Sequence, residues 1–208
     1  MRTLVIDTAT AACSIALIAD GAVIAAAHGD VGRGHAERLI PMIAALPDGG
    51  RAAHILVDVG PGSFTGIRVG IAAARGLALG WQASVAGYSS LTLVAARALA
   101  DTPLAPGATL AAVLEGGHGE VFMQLFAESL QPLGPLESLA PAAARVRLGD
   151  TRAAGDGLRW LGAGDPRTAP RGSLPRAADA LLLPPALAQL PPRPLYGRAP
   201  DARPPQPR

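Results

Sequence analysis

The sequence contains no lysine, and all 18 of its basic residues are arginine. A phosphate-binding loop of the Walker type needs a lysine that reaches the phosphates, so this class of nucleotide site is excluded. With 16 acidic residues the formal net charge is only +2. Such a small net charge does not by itself indicate a nucleic-acid-binding protein.

Cysteine and aromatic residues are also scarce. Cys13 is the single cysteine, which excludes an internal disulfide and is typical of a reducing compartment, so we expect a cytoplasmic protein. Only 3% of the residues are aromatic whereas 50% are hydrophobic, so the core must consist mainly of Ala, Val, Leu and Ile. The sequence has no run of about 18 uncharged apolar residues, and we therefore expect no membrane partner.

The first half of the chain carries a clear succession of strand and helix signals. Short β-type runs are predicted at 3–6, 14–18 and 22–27, and Asp20-Gly21 is a strong signal for a two-residue hairpin turn. The order βββαβα predicts an α/β fold in which helices cover a mixed sheet. The later elements are a helix at 35–46, an apolar and therefore central strand at 54–59, a helix at 63–79, a strand at 84–87 and a helix at 91–99.

The second half repeats the paired-strand pattern and then loses it. Two strand-type runs at 109–114 and 120–126 are joined by a stretch that contains Gly116-Gly117-His118-Gly119. After residue 131 the composition is dominated by Pro, Gly, Ala and Arg. The predicted organisation is a first lobe at 1–101, a smaller, degenerate second lobe at 102–195 and a Pro- and Arg-rich tail at 196–208.

The stretch at 59–70 reads V-G-P-G-S-F-T-G-I-R-V-G. Its glycine at position 66 comes one place too late for a dinucleotide-binding fingerprint. Ser63 is a favourable helix N-cap, and Gly62, Gly66 and Gly70 are four residues apart, which places them on one helix face. An interior helical glycine costs about 1 kcal/mol relative to alanine, so a close neighbour should offset this cost. The spacing leaves open whether that neighbour belongs to the same domain or to another subunit.

Other residues suggest chemistry, each with a simpler alternative. His35 begins a helix, but a helical zinc pair needs a second histidine four residues later, where Leu39 stands. Asp7, followed by Thr8, ends a buried strand, which is where ATPase-like folds hold Mg²⁺ and phosphate, yet an aspartate can equally cap the turn. Cys13 has no obvious base beside it and is interpreted as structural rather than as a nucleophile.

Four segments carry a family resemblance. They are M-R-T-L-V-I-D-T-A-T-A-A-C-S-I-A-L at the start of the chain, H-A-E-R-L-I-P-M-I, G-P-G-S-F-T-G-I-R-V-G-I-A-A-A-R-G-L-A-L-G, and Y-G-R-A-P-D-A-R-P-P near the end. Together they resemble the bacterial TsaB family, also called YeaZ. The resemblance is dense over 1–95, thin over 100–190 and returns at 196–205, and the second and third motifs in this order are its most specific part.

The resemblance implies an actin/Hsp70/sugar-kinase-like fold with two RNase-H-like lobes, the second reduced. It also implies a non-catalytic subunit that pairs with TsaD, the enzyme that transfers threonylcarbamoyl to the adenosine beside the anticodon of certain tRNAs. TsaE, an ATPase, joins that pair. No metal or tightly bound cofactor is expected in this chain, ATP and Mg²⁺ belong to the complex, and tRNA contact would be indirect. Members of the family alone often form homodimers through the same faces.

The resemblance places the pairing surface on the helices that match 35–46 and 63–80. The glycine row would then be the seam between subunits, so Gly66→Leu or Gly70→Leu should block pairing without unfolding the chain. Asp7 and Thr8 are the residues that would lie near a nucleotide. The residues expected at or near the seam are His35, Glu37, Arg38, Leu39, Met42, Gly62, Phe64, Thr65, Gly66, Arg68, Val69 and Gly70.

Two other function classes stay open. A small ATP-dependent kinase or ATPase of the same fold would use Asp7 and Thr8, with Asp58 as the acid after the fourth strand. Mg²⁺-dependent ATP binding by the isolated chain would favour this class. A peptidase would need a metal or a nucleophile with a base, and cleavage that vanishes on Cys13→Ala or His35→Ala would favour it.

Overall fold

The computed structural model describes residues 1–32, 34–162 and 174–198, and two β-sheets form its framework. The first sheet has the order β3-β2-β1-β4-β5 and the second the order β8-β7-β6-β9. The strands of the first sheet are β1 (Arg2–Asp7), β2 (Ala12–Ala19), β3 (Ala22–Asp30), β4 (His54–Asp58) and β5 (Ser84–Tyr88). Those of the second are β6 (Thr109–Gly117), β7 (Glu120–Ala127), β8 (Glu137–Leu139) and β9 (Arg152–Ala154). The helices are α1 (His35–Ala44), α2 (Phe64–Trp81), α3 (Ser90–Asp101) and α4 (Pro141–Leu148).

The first sheet confirms the predicted βββαβα order. Strands β1, β2 and β3 are antiparallel, whereas β4 pairs in parallel with both β1 and β5. Asp20 and Gly21, with φ of 49° and 78°, both have the positive φ that a tight hairpin turn requires. The apolar strand at 54–59 is central, as its composition predicts, because helices cover both of its faces.

Helix α3 lies between the two sheets and joins the two lobes. Eight of its residues are buried, including Ser90 and Thr92. It packs in one hydrophobic core with Val5 and Leu56 of the first sheet and with Leu110 and Phe126 of the second. A helix that is apolar on most of its faces is stable in such a position because each sheet covers one side of it.

Helices α1 and α2 cover the other face of the first sheet. Leu39 and Ile43 of α1, and Ile67 and Ile71 of α2, pack with the alternate residues of β1 and β4. The opposite sides of both helices are exposed. None of the helices in the described ranges is long and apolar enough to cross a membrane.

The last described part of the chain returns to the first lobe. The short helical turn Ala177–Leu182 contacts β1, β2 and β3, and Leu190 forms a bridge with Gly87 at the end of β5. The turn at 177–182 and the residues Leu190 and Leu195 thus lie against the first lobe, whereas the sequence predicts 102–195 as the second lobe. The predicted tail after Arg198 lies outside the described residues.

Candidate partner-binding surface

The predicted glycine row lies against the β1–β2 loop of its own chain. A Cβ added to Gly62 would overlap the carbonyl of Ala9, and one added to Gly66 would overlap the carbonyl of Thr8. A Cβ on Gly70 would lie 2.5 Å from Thr8 Oγ1. The prediction that this row is an intersubunit seam is therefore wrong, because the neighbour that compensates for the glycines is intramolecular.

Hydrogen bonds fix this contact between α2 and the loop. Thr8 Oγ1 donates to the carbonyl of Gly66 at 2.7 Å, and the amide of Ser63 donates to Ala9 O at 2.6 Å. The Ser63 hydroxyl accepts from the amide of Gly66, which confirms the predicted N-cap. The start of α2 and the loop after β1 therefore form one rigid unit.

Asp7 and Thr8, the residues predicted to lie near a nucleotide, are buried where the loop after β1 packs against helix α2. They are 0% and 1% exposed. Asp7 accepts hydrogen bonds from the amide of Ala9 and the hydroxyl of Tyr88, at 3.2 and 3.3 Å. The Thr8 hydroxyl is also used, because it donates to the carbonyl of Gly66. These buried side chains therefore do not fit a nucleotide or its Mg²⁺, and we assign them no catalytic role.

Asp58, at the end of the neighbouring strand β4, is 0% exposed and forms a buried pair with Asp7. Its Oδ1 accepts from the amide of Gly60 and the hydroxyl of Ser90, both at 2.7 Å. Its Oδ2 is buried and accepts no hydrogen bond from the described residues. Burial, followed by the charge of Asp58, raises the pKa of Asp7 well above its usual value, and burial raises the pKa of Asp58 to about 6. Because both pKa values are raised, the pair keeps a proton to a higher pH than ordinary aspartates do.

The buried pair should make the stability of the chain depend on pH. Folding raises both pKa values, so the folded state binds the proton more tightly than the unfolded state does. The contribution of the pair to the free energy of unfolding is therefore complete below about pH 4, and it is lost as the pH rises through the pKa values of the folded state. The shift of Asp58 to about 6 corresponds to a loss on the order of 3 kcal/mol. We expect urea denaturation to give a lower free energy of unfolding at about pH 8 than at about pH 5.

Asp58→Asn tests the cause of that pH dependence. An asparagine keeps the oxygen that accepts from Gly60 and Ser90, and it replaces the unpaired oxygen by a donor to Asp7. The decrease in stability between the two pH values should be smaller in this variant than in the wild type. Equal decreases would show that the pair is not the titrating group.

His35 is turned toward backbone carbonyls rather than toward a metal position. Its side chain is 7% exposed, and Nε2 lies 2.9 Å from Thr10 O and 3.2 Å from Ala12 O. Two carbonyl acceptors require that Nε2 carry the hydrogen, so this nitrogen has no lone pair for a ligand. Cys13 is 0% exposed and burial raises its pKa to about 11, so the thiol stays protonated and unreactive.

The exposed side of α2 carries a second row of residues four apart, which we call the outer row. A Cβ added to Gly76 or Gly80 would meet no atom of the described chain within 4 Å. Gly76 and Gly80 therefore form a flat end of the outer row. Next to this flat end, Leu79 is 85% exposed. The members of the outer row, all exposed, are Phe64, Arg68, Ala72, Gly76 and Gly80.

The predicted seam residues divide between the core and the surface. His35 and Leu39 are buried in the chain itself, and Met42 and Val69 are half-buried against the same core, so these four support the helices from within. The five that are exposed on α1 and α2, and so able to contact another molecule, are Glu37, Arg38, Phe64, Thr65 and Arg68.

Sequence reasoning missed the flat end of the outer row and one aromatic residue. Gly76 and Gly80 have the same spacing of four as the row at 62, 66 and 70, so the signal was present but was applied to only one side of the helix. Tyr196 belongs to a segment that carries the family resemblance, but nothing in the sequence places it against α2.

The topology and the cores define the class of this protein. Two lobes are built on mixed sheets, the first with the order β3-β2-β1-β4-β5, and a helix joins them. This is the two-lobed, RNase-H-like architecture of the actin/Hsp70/sugar-kinase class. In this member of the class, the start of helix α2 packs against the loop after β1 of the same chain.

Comparisons with known proteins give the family. The model of the family described as "TsaD: tRNA N6-adenosine threonylcarbamoyltransferase" matches residues 28–140, more than half of the chain. YeaZ from Pseudomonas aeruginosa is similar with a TM-score of 0.72 and 30% identity, over 87% of this chain and 89% of that one. The chain belongs to this family and, within it, to TsaB, also called YeaZ.

Two further comparisons agree with this assignment. The chain is 42% identical over 132 residues to the tRNA threonylcarbamoyladenosine biosynthesis protein TsaB of Escherichia coli, covering 59% of this chain and 53% of that protein. A solved structure described as an uncharacterized protein with similarity to peptidase YEAZ from Pseudomonas aeruginosa has a TM-score of 0.75 and 29% identity, over 95% of this chain and 99% of that one. The chain spans about half the length, or less, of the first curated relatives that it matches.

Proposed function

We propose that this chain is a non-catalytic dimerisation subunit of the machinery that makes threonylcarbamoyladenosine in tRNA. It binds a TsaD homologue and supports the transfer of threonylcarbamoyl to the adenosine beside the anticodon. A TsaE-type ATPase joins the pair, ATP and Mg²⁺ act at the level of the complex, and the tRNA is contacted mainly by the other subunits. The similarity to the tRNA threonylcarbamoyladenosine biosynthesis protein TsaB of Escherichia coli supports this role.

The observation that carries the proposal is the open, flat end of the outer row. A glycine inside a helix costs about 1 kcal/mol relative to alanine. Contacts within the described chain account for Gly66 and Gly70, but nothing there approaches Gly76. Small residues on an exposed helix face allow the backbone of a second helix to approach closely, and the exposed Leu79 beside them offers apolar area to bury.

The charges and the neighbouring helix also suit such a contact. Helix α2 has no acidic residue, and from Val69 onward Arg75 is its single charge. Helix α1 contacts α2 and exposes Ile40, which is 48% exposed. A partner of related fold would present equivalent helices, and the match of this chain to the TsaD family model supports a partner of that kind.

The same row permits self-association when the partner is absent. If two copies of α2 lie antiparallel with Ala72 near their crossing, Phe64 and Arg68 of one copy face Gly80 and Gly76 of the other. Large residues then lie over small ones on both sides of a two-fold axis. The homodimer expected for the isolated chain would thus compete with the TsaD homologue for one surface.

The buried acids support the non-catalytic assignment. Asp7 and Asp58 are fully enclosed, and the inward nitrogen of His35 is a hydrogen-bond donor. A kinase of this fold needs an acid that reaches the nucleotide, and a peptidase needs a metal or an activated nucleophile. The residues considered for these two activities are engaged in holding the first lobe together.

Co-elution with the TsaD homologue from the same organism tests the proposed function. We expect an equimolar mixture to migrate as a heterodimer in size-exclusion chromatography with light scattering. Addition of this chain to the TsaD homologue, the ATPase and tRNA should raise the yield of modified adenosine, measured by mass spectrometry of tRNA digests. Separate elution, together with an unchanged yield of modified adenosine, would contradict the proposal.

A further inference from the structure

The C-terminal segment, which we define as Leu190–Arg198, is fastened to the first lobe beside α2. Leu190 and Gly87 exchange two backbone hydrogen bonds of 2.6 and 2.9 Å, and the amide of Leu195 donates to Val59 O at 2.7 Å. Arg75 Nη2 of α2 donates to the carbonyl of Pro192 at 2.7 Å. These bonds at residues 190, 192 and 195 determine where the segment lies relative to α2, and its last residue, Arg198, pairs with Glu120 of the second lobe.

Tyr196 of this segment forms a stack with the first two residues of the outer row. The rings of Phe64 and Tyr196 are stacked with centroids 5.6 Å apart. The guanidinium carbon of Arg68 lies 3.5 Å from the centroid of the Phe64 ring, and its Nε and Nη2 donate to the Tyr196 hydroxyl at 3.0 and 2.7 Å. The three side chains therefore hold one another in place.

The stack is exposed although the protein has few aromatic residues. Phe64 is 55% exposed and Tyr196 42% exposed, and they are two of only seven aromatic residues in the chain. Aromatic and arginine side chains supply most of the binding energy in many protein interfaces. Because these three are already ordered, their burial by a partner costs little additional conformational entropy.

Helix α2 and the C-terminal segment carry three arginines, Arg68, Arg75 and Arg193, that form no ion pair with any carboxylate of the described residues. Arg68 also keeps N–H groups that its bonds to Tyr196 do not use. A complementary surface would therefore present carboxylates close to an apolar area that covers the two rings.

We propose that the stack of Phe64, Arg68 and Tyr196 anchors the binding of the partner subunit, and that the C-terminal segment is part of the partner-binding surface. The stack lies at one end of the outer row and the flat glycines lie at the other, so a partner helix along α2 meets both. The partner then offers an acidic group to Arg68. This inference rests on the proposed function, since it specifies how the same surface is recognised.

Tyr196→Ala tests the inference, and Trp160→Ala is its matched control. Trp160 is also an exposed aromatic residue, with Arg159 over its ring, but it lies in the second lobe. Titration calorimetry with the TsaD homologue should show that Tyr196→Ala weakens binding at least about tenfold, as truncation of an interface anchor does. Trp160→Ala should bind like the wild type, and Tyr196→Phe, which keeps the ring without the hydroxyl, should lie between.

Arg68→Gln tests the charge of the partner surface. Removal of one charge should weaken the dependence of the dissociation constant on salt concentration. Thermal denaturation of each variant shows whether it is folded. If Tyr196→Ala fails to fold, Tyr196→Phe and Arg68→Gln decide the question, because both keep the ring of Tyr196.

The outcomes separate this inference from the proposed function. If the wild type does not bind the TsaD homologue, the proposed function fails and the anchor fails with it. If the wild type binds and the folded Tyr196 and Arg68 variants bind equally well, only the anchor is refuted. If these variants bind the partner normally but the assembled complex loses affinity for tRNA, the stack is a nucleic-acid contact and the inference is likewise overturned.

Discussion

Gly66→Ala is expected to lower the free energy of unfolding by about 3 kcal/mol, although alanine is the better helix former. The added methyl group would overlap the carbonyl of Thr8 in the β1–β2 loop. Overpacking against backbone costs about 3 kcal/mol, loss of the hydrogen bond from Thr8 to Gly66 costs about 1 kcal/mol more, and the gain in helix propensity returns only about 1 kcal/mol. Urea denaturation at constant pH measures the difference.

Gly76→Ala is the matched control, because it makes the same change ten residues later in the same helix. Its methyl group meets nothing within 4 Å in the described chain, so stability should rise by up to about 1 kcal/mol. Equal effects of the two substitutions would contradict the assignment of an inner and an outer glycine row. Gly66→Leu and Gly70→Leu should unfold the chain rather than merely block pairing, which corrects the expectation from the sequence.

Gly76→Leu is expected to abolish partner binding while the chain stays folded. The Cβ of a leucine at this exposed position meets nothing within 4 Å in the described chain, and leucine is favoured over glycine in a helix, so we expect thermal stability to be unchanged or higher. On the flat end of the outer row, however, the side chain would keep a second helix from approaching. We expect affinity for the TsaD homologue to fall at least about 100-fold, which corresponds to about 2.7 kcal/mol in calorimetric titration.

Ala143→Leu serves as the control for this loss of binding. Ala143 is an exposed, small residue in helix α4 of the second lobe, and its enlargement should leave affinity unchanged. Self-association of the isolated chain, followed by sedimentation, should weaken in Gly76→Leu as well if both partners use the outer row. Wild-type affinity in Gly76→Leu would show that α2 does not carry the interface.

Much of the first lobe could be predicted because its signals are local. The Asp20-Gly21 turn, the N-cap at Ser63 and the apolar strand at 54–59 each depend on a few adjacent residues, and the structure confirms all three. The second lobe was harder because short strands such as Glu137–Leu139 and Arg152–Ala154 carry too few residues for a period to be visible. Their pairing is decided by the longer strands β6 and β7 beside them.

The candidate site shows a different limit. Glycines spaced by four identify a helix face that something approaches, but the spacing is the same whether that neighbour is a loop of the same chain or another molecule. The position of the β1–β2 loop decides the matter, since it covers Gly66 and leaves Gly76 open. The burial of Asp7 likewise depends on Tyr88, which is 81 residues away in the chain.

The sequence by itself determined the order of elements in the first lobe, the absence of a Walker loop and the family resemblance, because residue type and local spacing suffice for these properties. Only the tertiary structure decided which side of α2 is free, why the two acids are closed off and that Tyr196 lies against Phe64 and Arg68. Contacts between distant segments depend on how the whole chain packs, and packing leaves no periodic pattern in the sequence. A single helix can therefore carry two rows of small residues, of which one serves the core and the other faces outward.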